Sequence, residues 1–350
     1  MLCRLNIVLV MLIMITLSEC AQAKTQRPIL FSTYVNDAYA IVTVNPSKGD
    51  LLTWKENDQN ALRAPILSPD GRQVLYFECR VEVQCDLRVA KLNGQADRRL
   101  AGPFLAPFWR DIQWSPSGRH IALRALTADT QEKVVYVLSV ETGDIVRSFV
   151  EGQSFTWTSS SQIAMIWQRE PLKSGLYIID VEQGEEKFIL LNDPERLLTD
   201  IVGQVDKEHL LIIAHSSARQ FVDRAFVLRV SDGSLEEIPI RNDDGAKREI
   251  HYLQIAPSGK RLSFELDHLS REGNQQESLA LLDLETSEEY VFNIKVESYL
   301  LWSPDGRHIL FTCGGKAANR PKSSLCLASP DDGTVKRTFT GESIIWDLSW

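Results

Sequence analysis

The sequence predicts an all-β chain made of repeated four-stranded sheets, and three observations predict it. The stretch Trp302-Ser303-Pro304-Asp305-Gly306-Arg307 has close copies at Leu67-Ser68-Pro69-Asp70-Gly71-Arg72, Trp114-Ser115-Pro116-Ser117-Gly118-Arg119 and Ile255-Ala256-Pro257-Ser258-Gly259-Lys260. The residues ahead of these turns, Leu67, Trp114, Ile255 and Trp302, lie 47, 141 and 47 positions apart, and 141 is three times 47. Finally, the two ends of the chain carry complementary parts of one unit. A period in the forties is what four short strands and their turns require, and with the ends joined it predicts a seven-bladed β-propeller.

Each marker is a tight turn between two strands. Proline presets φ near −65° at the first central position, the Asp or Ser side chain bonds back to the local backbone, and Gly supplies a positive φ. The runs that follow, such as Gln73-Val74-Leu75-Tyr76-Phe77 and His308-Ile309-Leu310-Phe311, are rich in branched and aromatic residues, as strands are. Two degenerate copies fill the middle: Trp157-Thr158-Ser159-Ser160-Ser161 and Gly203-Gln204-Val205-Asp206-Lys207. Their strands survive as Gln162 to Ile166 and His209 to Ile213.

In chain order, residues 1–23 read as a signal peptide. Arg4 gives a positive start, Leu5 to Leu17 is an apolar core too short for a comfortable span, and Ala21-Gln22-Ala23 is a small-x-small cleavage site. Glu19 ahead of Cys20 argues against a lipid anchor there. The predicted propeller, 24–350, is therefore periplasmic or secreted, with no membrane span after cleavage. Ile29 to Tyr34, Ala40 to Val44 and Leu51 to Trp54 are a second, third and fourth strand lacking a first. Ile344 to Trp350, which matches Arg110-Asp111-Ile112-Gln113-Trp114 and has no second strand after it, supplies the missing one. Closing blade one with this C-terminal strand removes the exposed edges of an open sheet. Unit two reads Ala64 to Ser68, Gln73 to Cys79, Asp86 to Leu92 and Arg98 to Leu100.

Four cysteines remain after the leader and allow three pairings. Cys79 and Cys313 both end a second strand, whereas Cys85 and Cys326 both begin a third. Each pair closes its own hairpin, so the expected disulfides are Cys79–Cys85 and Cys313–Cys326.

The Trp-Ser-Pro-Asp-Gly-Arg markers and their apolar strands resemble the TolB-type, WD-like propeller repeats of bacteria, which also build the propeller domains of prolyl-oligopeptidase-like enzymes. The resemblance covers nearly all of the chain after the leader and implies the propeller fold. It does not extend to the additional α/β domain that precedes the TolB propeller, so an envelope role like TolB's is not carried over with the fold.

With 44% hydrophobic residues, 24% charged residues and a formal net charge of −9, the chain lacks the basic stripe that phosphate binding needs, which excludes nucleic acid as a partner. Aligning the inner strands three positions before each marker yields a column, Ala64, Asp111, Ser154, Asp200, Tyr252, Tyr299 and Asp347. Inner strands of a propeller line its channel. These side chains, with Arg110 beside Asp111, are therefore candidates for binding at the channel, and the three carboxylates are oxygen ligands suited to Ca²⁺. His215, His251 and His268 fall near the opposite rim in neighbouring units, as candidates for rim binding or for a metal or acid/base cluster. His120, His209 and His308 share one slot after the marker and read as exposed strand starts. No nucleophile elbow, phosphate loop or dinucleotide fingerprint is present. Trp114, Trp157, Trp302 and Trp350 share the marker position and read as packing between blades.

The function these readings favour is an exported, non-catalytic protein-binding or scaffolding module of the cell envelope, without a cofactor. Its partner, another envelope or secreted protein, would dock on rim loops at 126–133, 214–221, 268–277 and 314–324. The alternatives are a carbohydrate lyase or hydrolase acting at the channel mouth, and a sensor of a small ligand or cation.

Overall fold

The computed structural model describes residues 27–350 except 82, 109–110, 128–129, 170–173, 194–195, 216–222, 239, 241–247, 270–274, 293, 297, 314–315, 318–319, 322–323 and 341–344. Among the described residues every regular element is a strand, and no helix is long and apolar enough to cross a membrane.

Strands adjacent in the sequence pair antiparallel, and the sheets follow one another along the chain. Three are uninterrupted runs of four: Gly152–Trp157 through Glu186–Leu191, Leu197–Gln204 through Leu235–Glu237, and Arg248–Ile255 through Glu289–Phe292. A fourth joins Ser298–Trp302, Ile309–Cys313, Ser324–Ala328 and Val335–Thr340, with the small hairpin Lys316–Ala317 and Arg320–Pro321 inserted. Residues 61–150 form one eight-stranded sheet whose halves meet through a single pairing, Leu105 with Leu126. In the remaining sheet Trp346–Ser349, from the far end of the chain, lies beside Ile29–Val35, with Leu30 opposite Ser349 and Ser32 opposite Trp346. That is the strand the N-terminal unit lacked in the sequence.

The marker turns form by local hydrogen bonding. In Ser68-Pro69-Asp70-Gly71 the Ser68 hydroxyl donates to Asp70 Oδ1 at 2.6 Å, and Asp70 Oδ1 accepts the Arg72 amide at 3.0 Å. Gly71, at φ 72°, donates its amide to the Ser68 carbonyl. Ser303, Asp305 and Gly306 repeat the arrangement, with a 2.6 Å hydroxyl bond and φ 70°. In the degenerate copies the backbone closure remains, Thr158 to Gln162 and Val205 to His209, and a side chain still caps the turn: Ser159 Oγ accepts the Gln162 amide and Asp206 Oδ1 accepts the Glu208 and His209 amides. Pro and Gly are thus dispensable where the ladder holds the turn.

Burial follows strand position within a sheet. Second strands such as Gln162–Trp167 are buried along almost their whole length because sheets cover both faces, whereas last strands such as Leu51–Asn57 are largely exposed. The core therefore lies in layers between sheets. One layer packs Ala122, Val135 and Val137 against Phe155, Trp157, Ile163 and Met165. Full burial of each large side chain in such a layer contributes about 1.5–3 kcal/mol.

The expected disulfides Cys79–Cys85 and Cys313–Cys326 are both present. Cys79 lies directly opposite Cys85, but Cys326 is the third residue of its strand and faces Phe311 rather than Cys313. The second bridge is thus diagonal, a difference from the expected strand start. His120 also departs from expectation. It is buried and stacks on Trp157 with ring centroids 6.2 Å apart, so a neighbouring sheet covers the slot that the sequence left exposed.

Candidate functional site

One cavity of about 790 Å³ touches all seven residues of the predicted column, Ala64, Asp111, Ser154, Asp200, Tyr252, Tyr299 and Asp347. Each comes from an inner strand or its immediate start. The sequence carries these side chains inward through β-bulges. Pairing registers break between Arg63 and Ile66, Gly152 and Ser154, Leu198 and Asp200, His251 and Gln254, and Ser298 and Leu300. Ala64, Tyr252, Tyr299 and Asp347 take up the extra length at positive φ, 47°, 53°, 53° and 50°. A bulge re-aims a side chain at a backbone cost of order 1 kcal/mol for a residue other than Gly.

The three carboxylates have different surroundings. Asp347, nearly buried, accepts the Ala64 amide at 3.2 Å and pairs with Arg63 at 2.9 Å, while its own amide donates to the Tyr299 hydroxyl at 3.1 Å. Arg63 also lies 5.3 Å from the centre of the Trp346 ring. Asp111 pairs with Arg124, whose guanidinium stacks 4.3 Å from the Phe108 ring and donates to the Gln153 carbonyl. Asp200, exposed to the cavity, accepts the Ser154 hydroxyl and the Ile201 amide through Oδ1. Asp347 and Asp200 thus tie one sheet to the next, and Asp111 does so through Arg124, as well as lining the cavity. Further ties run along the same wall: Trp114 Nε1 donates to Ile66, Trp157 Nε1 to Gln113, and Gln113 Nε2 to Phe155, all to carbonyl oxygens. Trp114 and Trp157 thus tie neighbouring sheets together, and Trp302 packs in a core layer, as the sequence expected of the aligned tryptophans.

Sequence reasoning missed Arg63, Arg124 and Arg224. Arg224 is the one basic side chain among the cavity's described lining, and its guanidinium is held by the Glu237 carboxylate. A signal for Arg63 existed, because Arg63 precedes Ala64 as Arg110 precedes Asp111. Arg110 itself lies outside the described residues, as do residues 1–23 and large parts of the candidate rim loops at 214–221, 268–277 and 314–324. Only backbones are described for His251 and His268. His251 pairs with Glu265 and His268 with Arg248, three ladder positions apart in one sheet, whereas His215 ends a strand of the preceding sheet opposite Leu197. His209 sits beside Asp206, with Nδ1 2.9 Å from the carboxylate. Among the described residues no three His, Cys, Asp or Glu side chains gather as a metal-binding group.

No protein-family model matches the chain, and no curated protein matches it. Solved structures do. Oligogalacturonate lyase from Vibrio parahaemolyticus is similar with a TM-score of 0.67 at 9% identity, over 88% of each chain. The β-propeller domain of the Trilobed protease from Pyrococcus furiosus gives 0.60 at 14% identity, over 88% of this chain and 92% of that one. TolB from Acinetobacter baumannii gives 0.51 at 12% identity, over 92% and 82%. At such identities the likeness is one of fold, and that fold is a TolB-like β-propeller.

Proposed function

We propose that this chain is an exported, seven-bladed β-propeller, closed by its C-terminal strand, that acts as a non-catalytic protein-binding module of the cell envelope. Dividing the eight-stranded sheet at its single Leu105–Leu126 pairing leaves two four-stranded units. With the five four-stranded sheets these make seven, and each lends one strand to the cavity wall. Two hairpin disulfides and the apolar leader support export into an oxidising compartment.

The observation that carries the non-catalytic reading is the commitment of the cavity's carboxylates. Asp111 and Asp347 are held by Arg124 and Arg63, and Asp200 is oriented by Ser154. Asp111 and Asp347, tied into ion pairs, are poorly placed to exchange protons with a substrate, which leaves Asp200 as a binding group rather than half of an acid–base pair. The partner then docks at the channel mouth and its rim. The test is native mass spectrometry with elemental analysis on the protein purified gently from the exported fraction of its own cells. A stoichiometric protein partner without metal is expected. One equivalent of bound metal and depolymerisation of an acidic polysaccharide would overturn the reading in favour of a lyase.

A further inference from the structure

Resting on that reading of the channel as a binding surface, we propose that the cavity receives a single organic cation, an ammonium or guanidinium group, on the Asp200 carboxylate. The argument starts from charge balance. Two acids of the column carry their own counter-ions, Asp111 with Arg124 and Asp347 with Arg63. Asp200 meets no basic side chain among the described residues, and the one cation in the described lining, Arg224, is neutralised by the two oxygens of Glu237. The Ser154 hydroxyl and the Ile201 amide both bond Oδ1, which fixes the carboxylate and leaves Oδ2 to accept a donor from the cavity.

The chemistry selects an organic cation over a metal ion. Ca²⁺ takes six to eight oxygen ligands, whereas one pre-oriented carboxylate oxygen matches one N–H donor of an ammonium or guanidinium. Tyr252, the next column residue beyond Asp200, adds an aromatic wall suited to a cation. A cavity of about 790 Å³ holds one long basic side chain or a small free amine. Two sources share this chemistry: a free amine, or a Lys or Arg side chain of the partner protein.

The experiment titrates the mature protein with agmatine, with a short peptide bearing one internal Arg, and with CaCl₂, read by isothermal calorimetry. Saturable one-site binding of agmatine or the peptide is expected, weakened about 10- to 100-fold by Asp200→Asn, the loss of one charge-assisted hydrogen bond. Gln254→Trp, a bulky replacement at a polar position of the cavity lining that leaves the carboxylate intact, weakens it as well and serves if the Asn variant folds poorly. Binding of agmatine as tight as that of the peptide assigns the site to a free amine, and binding of the peptide alone assigns it to a partner's side chain. Binding unaffected by both substitutions, no binding of either organic cation, or Ca²⁺ binding lost in Asp200→Asn overturns the inference. None of these outcomes bears on whether a protein partner co-purifies, so the scaffold reading fails or stands separately.

Discussion

Replacing Tyr76 by Phe isolates one hydroxyl in the polar network that fastens the N-terminal sheet to the next. The Tyr76 side chain is fully buried, and its hydroxyl lies 2.9 Å from both oxygens of Asp97 and 3.1 Å from Arg88 Nε. Asp97 also receives Lys55 at 2.6 Å, from the last strand of the N-terminal sheet, and Trp54 Nε1 donates to the Leu92 carbonyl at 2.7 Å beside it. The substitution keeps the ring and its edge-on contact with Trp54. The cost is chiefly the hydrogen bond donated to the Asp97 carboxylate, about 1.5–3 kcal/mol, because Arg88 Nε, which also donates to the hydroxyl, keeps its 3.1 Å bond to Asp97 Oδ1. With an unfolding entropy of about 2.1 cal/mol/K per residue over the chain, 2 kcal/mol lowers Tm by about 3 °C. Acid titration supplies an independent readout. Burial pushes the Asp97 carboxyl up, but the bonds from Lys55, Tyr76 and Arg88 outweigh it and hold it below the ordinary carboxylate range. A carboxyl lowered on folding stabilises above the unfolded value of about 4, and that stabilisation is lost as pH falls through the folded value. The Tm difference between the parent protein and Asp97→Asn should thus be largest near pH 7 and shrink as the pH drops from about 5 to about 2. Scanning calorimetry across that range is the assay. A Tyr76→Phe shift under about 1 °C, or an Asp97→Asn difference that does not change with pH, would refute the reasoning.

Three further predictions concern turns, bridges and closure. Gly306→Ala meets only Pro257 at 3.9 Å and costs the left-handed backbone alone, about 1–2 kcal/mol, whereas at Gly259 a Cβ collides with the Val205 carbonyl. Thermal melts should place Gly259→Ala well below Gly306→Ala. Cys313→Ser opens a bridge spanning 13 positions and should cost up to about 3 kcal/mol in the chain-entropy model, more than Cys79→Ser, whose bridge spans 6. Free-thiol titration with and without denaturant checks both, and equal losses would count against that model. Asp347→Asn removes the charge opposite Arg63 at a nearly buried site and should lower Tm by several degrees, while Asp200→Asn, exposed and with no basic side chain beside it among the described residues, should change it by about 1 °C or less. Equal effects would mean that the C-terminal strand is not held by the Arg63 pair.

What the sequence disclosed and what it hid divide along the range of the forces involved. The marker turns were legible because Ser68, Asp70 and Gly71 act within six residues, through bonds that their own spacing dictates. The column was legible as a column because the repeat aligns Asp111, Asp200 and Asp347, and all seven positions do meet at one cavity. Their partners were not. Asp347 finds Arg63 across 284 positions of sequence, and His120 finds Trp157 in the next sheet, because stacking between sheets depends on which faces meet and no local propensity records that. The bulges were hidden for a related reason. Ala64, Tyr252, Tyr299 and Asp347 hold positive φ without the Gly that would mark such a position, so the surrounding ladders impose a conformation the residues do not themselves prefer. That imposed conformation brings the column together: with in-register pairing in place of the bulges, successive side chains would alternate faces and the wall facing the cavity would be a different set of residues. Ala64→Gly tests this with the loss of one methyl, since relief of backbone strain should raise Tm if the ladders impose the bulge, and a Tm that falls by several degrees would mean that the side chain itself holds it.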